Sequence, residues 1–296
     1  MVTNSNQTIS FPLISKGKVR DLYEISSDSL LIVASDRFSA FDHIFSQPFI
    51  HSNKTLYKGK IITAFSKEWF TRLPSKIKHH FLSTDLNSKL PDTLALEHSG
   101  RGMIVSKLYP IPIEAVVRSH LVGTAWTEYQ SSNSICNISL PNGLNKYDAL
   151  PYPIYTPAFK APVGEKDYNL SYQQTEVIIG TRNAQEIKEF SITVFNFLQN
   201  YCAEKGVILL DSKFEFGLSL NNELLLMDEL CTPDSSRFLL TSDFNKKVIQ
   251  HYDKQYVREY LLSEQWTKQS NNFQFPSAII DELLQRYQQL FEKLFS

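Results

Sequence analysis

Ile61, Ile62, Phe65, Trp69 and Leu73 recur three to four residues apart, which predicts a helix over 55–73 that stops at Pro74. The same period returns in Ile187, Phe190, Val194, Phe197, Leu198 and Tyr201. It predicts a helix over 184–205 with Gly206 as its stop. Two further helices are expected near 253–263 and 277–295. The stripe Ile280, Leu283, Leu284, Tyr287, Phe291 and Leu294 of the last one is expected to pack on the core rather than to form a dimer face. Short apolar runs at 18–25 and 30–34, joined by Ser26-Ser27-Asp28-Ser29, read as a β-hairpin. Runs at 103–106 and 113–118 read as strands, and the proline-punctuated stretch between them (Pro110, Pro112) as a hinge. Residues 1–10 are polar and expected to fray. Residues 131–170, with Pro141, Pro151, Pro153, Pro157 and Pro162, are expected to form a long loop, either functional or disordered. Early strands, a hinge, then helices around a second sheet predict an α+β protein of two lobes, 1–112 and 113–296.

The strongest local pattern lies late in the chain. Runs at 209–217 and 224–229 are apolar strands carrying Asp211, Lys213, Glu215, Asp228 and Glu229, separated by the turn-forming pair Asn221-Asn222. With that pair as a two-residue turn, Glu215 faces Asp228 on one side of the sheet, together with Asp211 and Lys213. Phe214, Phe216 and Leu218 then point the other way, into apolar packing. Facing carboxylates destabilise a sheet unless something positive lies between them, and a divalent cation with oxygen ligands fits.

Composition narrows the function classes. The chain has 296 residues, 42% hydrophobic and 21% charged, with a formal net charge of -1. That balance argues against nucleic-acid binding by bulk electrostatics. No apolar run is long enough to span a bilayer, and the N-terminus lacks the layout of a signal peptide. Three scattered cysteines, Cys136, Cys202 and Cys231, offer neither a disulfide framework nor metal spacing, so reduced thiols in the cytosol are expected. Cys231 reads as a buried filler.

Several smaller constellations leave two readings open. Lys16-Gly17-Lys18-Val19-Arg20 places three cations on alternate positions around a glycine that would admit a phosphate, or it is a solvated basic strand. The stretch 35–42, Ser-Asp-Arg-Phe-Ser-Ala-Phe-Asp, reads locally as a turn capped by Asp36 and Ser39. Arg118, followed by Ser119, Gly123 and Thr124, suits a phosphomonoester or a surface ion pair. Arg237 with Ser235 and Ser236 forms a second anion clamp, a helix N-cap, or both. The seven histidines show no ligand spacing and read as structural or exposed.

In order along the chain, 17–21, 35–42, 112–118, 211–217, 228–229, 232–238 and 252–258 resemble the SAICAR synthetase family of purine biosynthesis, of the longer, monomeric type. The resemblance runs from about residue 15 to 260. It implies a two-lobed fold related to ATP-grasp enzymes and reminiscent of protein kinases, with ATP between the lobes. It also implies ATP-dependent ligation of L-aspartate to the carboxylate of carboxyaminoimidazole ribotide through an acyl phosphate.

By the same resemblance, Glu215 and Asp228 are Mg²⁺ ligands, and Lys213 stabilises the acyl phosphate. Asp211 would contact the imidazole's amino group. Lys16, Gly17, Lys18 and Arg20 would hold the ATP phosphates, and the 108–114 hinge, ending at Glu114, would meet adenine. Arg118, Thr124, Ser236, Arg237 and Arg258 would grip the ribotide phosphate. Lys160 and Asp167 would serve the substrate from the loop over the aspartate side.

This chain departs from the family pattern at 119–126, where Thr124 keeps the usual hydroxyl, and in the loop, where Lys160, Glu165 and Asp167 persist but Lys166 replaces a histidine. A kinase-like phosphotransferase would not need the second phosphate grip at Arg118 and Arg237. A nucleotide-binding module without catalysis would not need Lys213, Glu215 and Asp228.

Overall fold

A computed structural model describes residues 11–161, 167–268 and 273–296. The expectations placed on residues 1–10, Pro162, Glu165 and Lys166 lie outside them. Two antiparallel sheets organise the chain. The first has the spatial order Leu13–Lys16, Arg20–Glu24, Ser29–Ala34, Gly102–Ser106, Phe81–Ser83. The expected 18–34 hairpin is its second and third strands.

The second sheet runs Tyr168–Asn169, Ala149–Phe159, Tyr109–His120, Val207–Leu218, Leu224–Met227. The strand Ser236–Leu240 also pairs with Val207–Leu218. Residues 211–218 of that central strand are paired with Tyr109–His120 along one edge. Its other edge is shared, Leu224–Met227 covering 215–218 and Ser236–Leu240 covering 207–212. Between these two short strands the chain at 228–235 is outside the named strands, returning at Ser235, whose carbonyl takes the Lys213 amide at 3.0 Å.

Side-chain alternation on the central strand does what the sequence requires of it. Phe214 and Phe216 are fully buried, and Phe216 meets Phe190 of the helix Thr181–Glu204 at 5.2 Å between ring centroids. That helix buries Ile187, Val194 and Leu198 as expected. Its stripe is turned so that Phe195 and Cys202 are also fully enclosed while Phe190, Phe197 and Tyr201 lie at the border. The helix Ser277–Phe295 buries its expected stripe against the helix Lys58–Arg72, with Phe65 and Phe291 in edge contact at 5.3 Å. One apolar core runs from Phe38, Phe65 and Trp69 through Phe214 and Phe238 to Leu283 and Tyr287, so both halves of the sequence share it.

Three expectations are corrected. The stretch taken as a hinge is the start of the strand Tyr109–His120: Tyr109 and Pro110 pair with Leu218 and Gly217, and Ile113 with Phe159. The 131–170 region is not one loop, because Ala149–Phe159 is a strand laid along Tyr109–His120. Its prolines are accommodated without breaking the sheet. Pro151 and Pro153 fall where the register shifts between Ala149 and Ile154, and Pro157 offers its carbonyl to the amide of Leu170.

The turn after the central strand is the third. Leu218 faces Leu224 and Glu215 faces Met227, one residue out of the expected register. Leu220, Asn221 and Asn222 form a three-residue turn, with the Asn222 amide bonded to the Ser219 carbonyl at 2.9 Å and Asn222 in the left-handed region at φ 57°.

Candidate active site

The register moves Asp228 off the position opposite Glu215, yet it stays close enough for the Glu215 charge to act on its carboxyl. Asp228 follows the strand Leu224–Met227 with φ at 68°, a left-handed conformation that turns its side chain back towards the central strand. Directly opposite Glu215 stands a different carboxylate, that of Glu114. The facing like charges are bridged by Lys213, whose Nζ donates to Glu114 Oε1 and Glu215 Oε1, each at 2.8 Å. Lys160, at the end of the strand Ala149–Phe159, pairs with the second oxygen of Glu215. Arg20 closes the far side, 2.5 Å from Asp228 and 2.8 Å from Glu229.

Burial works against ionising Glu215, but Lys213 and Lys160 outweigh it and hold its carboxyl well below the usual range. Asp228 shows the opposite balance. Burial pushes its carboxyl up, and the charges of Glu215 and Glu229 add to this against the pull of Arg20. Lys213 remains firmly protonated, because Glu114, Glu215 and Asp228 more than offset its burial. Four carboxylates, Glu215 and Glu229 buried and Glu114 and Asp228 half-buried, beside Lys213 and Arg20 give a hard-oxygen donor set. Among the described residues no group of three or more acidic, His or Cys side chains already has the arrangement of a closed metal cage. A pair of carboxylates completed by phosphate oxygens is how Mg²⁺ is commonly held.

A second cluster lies on the same face of the central strand. Asp211, four residues from Glu215, is about 13 Å away along an extended chain. It pairs in register with Arg118 on one neighbouring strand and Arg237 on the other, and both guanidinium groups bond its Oδ2. Arg118 also donates to Thr156 at 3.0 Å and reaches Thr124 at 3.5 Å. Arg258 is half-buried nearby, its basicity lowered by desolvation and by Arg237. The buried Nε of Arg237 has no hydrogen-bond partner among the described residues.

Gly123 opens the helix Gly123–Ser132 at φ 58°, and a Cβ there would sit 2.5 Å from the Arg237 guanidinium. Three arginines, one orphaned donor and a helix start around Asp211 have the chemistry to receive an anion. Ser236, expected in this grip, points elsewhere. It alternates with Arg237 along its strand, so its hydroxyl meets that of Ser212 at 2.8 Å on the opposite face.

The basic glycine segment is a hairpin turn rather than a strand. The strand Leu13–Lys16 ends, the Gly17 amide bonds the Arg20 carbonyl at 2.8 Å, and Arg20–Glu24 begins. Its cations therefore diverge: Lys16 is exposed, Lys18 reaches Asp42 at 3.1 Å and Asp167 at 4.0 Å, and Arg20 turns inward to Asp228 and Glu229. Asp167 also accepts from the Ala161 amide at 2.9 Å, tying the loop base to the turn. Glu114, expected to lie in an adenine-binding hinge, belongs instead to the acidic cluster.

Sequence reasoning passed over two supports. Arg37 clamps the glycine turn, donating to the carbonyls of Gly17 and Lys18 and forming two bonds to Asp21. Asp36 accepts from the Gly59 amide at 2.9 Å, so it caps a helix 23 residues on rather than its own turn. The packing of Ser-Asp-Arg beside aromatics was the available signal. His80, read only as structural or exposed, is 2% exposed and lies against the Asp228 carbonyl. Cys231 is a buried filler as expected, its thiol pushed up to about 12 by burial.

The family model for SAICAR synthetase matches residues 13–273. A phosphoribosylaminoimidazole-succinocarboxamide synthase of Polaromonas naphthalenivorans is 39% identical over 303 residues, covering 99% of this chain and 97% of the relative. The enzyme of the same name from Pasteurella multocida is 39% identical over 287 residues, covering 97% of this chain and 98% of its own. Among solved structures, the SAICAR synthase of Saccharomyces cerevisiae complexed with SAICAR superposes with a TM-score of 0.82 at 31% identity, covering 96% of this chain and 94% of that one.

Proposed function

The chain belongs to the SAICAR synthetase family, and from that premise we propose that it joins L-aspartate to the carboxylate of carboxyaminoimidazole ribotide, converting ATP to ADP and phosphate. The observation that carries this reading is the pair of opposite charge clusters on one strand face, carboxylates at Glu215 and Asp228 and arginines around Asp211, with Lys213 between them. A phosphotransferase acting on a plain hydroxyl needs the first cluster only. A ligase that must hold a triphosphate and a phosphorylated acceptor at once needs both.

ATP would lie between the first sheet, in an N-terminal lobe that ends before Tyr109–His120, and the second sheet, with its phosphates toward the glycine turn and Lys18. Glu215 and Asp228 would hold a Mg²⁺, which when bound neutralises charge on the triphosphate. The ribotide phosphate rests on Arg118, Arg237 and Arg258 with Thr124 and the helix start at Gly123. Asp211 fixes both arginines and faces the imidazole amino group. The carboxylate oxygen of the ribotide attacks the γ-phosphorus of ATP, the bond from that phosphorus to the β–γ bridging oxygen breaks and ADP departs, leaving an acyl phosphate on the ribotide. Lys213, charged throughout, steadies the negative charge that accumulates on the transferred group. The aspartate amine then attacks the acyl carbon, the carbon–oxygen bond to phosphate breaks, and the amine's proton leaves with the departing phosphate or to solvent. Lys160, released from Glu215, and Asp167 serve the aspartate side.

Three buried free thiols fit a reducing cytoplasm, and the apolar stripe of the last helix, spent in the chain's own core, fits a monomer. No helix among the described residues is long and apolar enough to cross a membrane. The test is phosphate release from ATP with the imidazole ribotide, with and without L-aspartate. Sustained release and a new amide that require all three substrates are expected. Turnover onto a hydroxyl acceptor, or none, contradicts the proposal.

A further inference from the structure

We infer that His80 is a positioning residue that fixes Asp228 in the conformation needed to bind a divalent cation. The inference rests on the metal role proposed for Asp228.

Asp228 is not glycine, yet its φ of 68° lies in the left-handed region, where a side chain is disfavoured. Such a residue persists only when its surroundings over-determine it. The peptide carbonyl of Asp228 receives His80 Nε2 at 3.1 Å. A carbonyl oxygen only accepts, so the ring proton sits on Nε2 and the histidine donates.

The ring itself is held. His80 is 2% exposed and lies 5.6 Å from the Phe70 ring between centroids. Its main chain is fixed on both sides, the amide bonding the Leu226 carbonyl at 3.0 Å and the carbonyl taking the Ser106 amide at 2.7 Å. The Leu226 amide in turn bonds the Lys78 carbonyl at 3.1 Å. Residues 78–80 therefore extend the second sheet beside Leu224–Met227, at the point where that strand turns out toward Asp228. The segment comes from the N-terminal half of the sequence. The orientation of a carboxylate in the second sheet is thus set by a side chain delivered from beside the first. Removing the donor frees the Asp228 peptide to relax from the left-handed region, which swings the carboxylate away from Glu215.

The experiment measures Mn²⁺ binding to the ATP-loaded protein by electron paramagnetic resonance, alongside the Mg²⁺ concentration giving half-maximal turnover. The variants are His80→Phe, His80→Gln and Asp228→Asn. His80→Phe keeps an aromatic ring against Phe70 and loses the donor; both metal readouts are expected to weaken about tenfold, the usual scale for a residue that orients a metal ligand. His80→Gln restores a donor of similar reach and is expected to recover most of the loss, which a merely space-filling histidine would not give. If His80→Phe does not fold, His80→Asn, whose amide is too short to reach the carbonyl, takes its place. Unchanged metal binding in the donor-free variant, with a large loss in Asp228→Asn, overturns the role of His80 alone. Unchanged binding in Asp228→Asn overturns the metal reading and this inference with it.

Discussion

At the scale of single residues, the site depends on balanced buried charge. Replacing Asp228 with Asn keeps size and packing and leaves Arg20 its bond to Glu229. Turnover at ordinary Mg²⁺ is expected to fall about a hundredfold or more with the fold retained, as steady-state kinetics and circular dichroism would show. Lys213 is different, because it also separates Glu114 from Glu215. Lys213→Met strands two facing carboxylates and is expected to cost about 3 kcal/mol of stability in urea unfolding, besides abolishing activity.

A third residue gives a pH signature away from the chemistry. Although burial disfavours its charge, His251 is pushed up to about 9 by Asp253 and Glu259. A raised folded-state pKa adds stability that is fully present below the unfolded value near 6.5 and is lost as pH rises through about 9. The stability gap between the parent and His251→Gln is therefore expected to be widest near pH 6 and to shrink toward pH 9.5. Urea midpoints at several pH values check the sign.

At the scale of elements, the anion grip is a joint between a helix start and two strands. Gly123 admits the Arg237 guanidinium where a methyl group would collide with it, and its left-handed backbone disfavours any other residue. Gly123→Ala is expected to raise KM for the imidazole ribotide more than tenfold while KM for ATP moves little, in initial-rate measurements with each substrate varied.

The elements also show what could be read in advance. The helices at 58–72, 181–204 and 277–295 were legible because each carries a long apolar stripe, and period is a strong signal over four or more turns. The strand Ala149–Phe159 was hidden by three prolines. Their cost vanishes only because a register shift and an edge neighbour, both tertiary facts, leave the missing amides unneeded. The turn at 220–222 was misread by one residue because Asn tolerates the left-handed region in either a two- or a three-residue turn. The slip takes Asp228 off the position opposite Glu215, although the two remain close enough for the Glu215 charge to act on the Asp228 carboxyl.

Across the whole molecule, the main core packs around the second sheet while the first sheet keeps smaller clusters of its own, and the acidic cluster collects residues from both halves of the sequence. Arg20 and His80 come from the first half, and Glu215, Asp228 and Glu229 from the second. Residue types on the central strand were enough to mark Asp211, Lys213 and Glu215, because charge on alternate positions of an otherwise apolar strand needs a reason. Nothing local marked His80, whose partner lies 148 positions away, and the stretch around Arg37 stood out without revealing its partners 16 to 20 positions back. Ser236 was placed with Arg237 by adjacency in sequence, and strand alternation separates them.

The most direct measurement is anomalous diffraction from crystals grown with Mn²⁺ and a non-hydrolysable ATP analogue. A single manganese peak about 2.2 Å from carboxylate oxygens of both Glu215 and Asp228, with phosphate oxygens completing its shell, is expected. A peak bound elsewhere, or nucleotide bound with these two carboxylates still held only by Lys213, Lys160 and Arg20, would contradict the account.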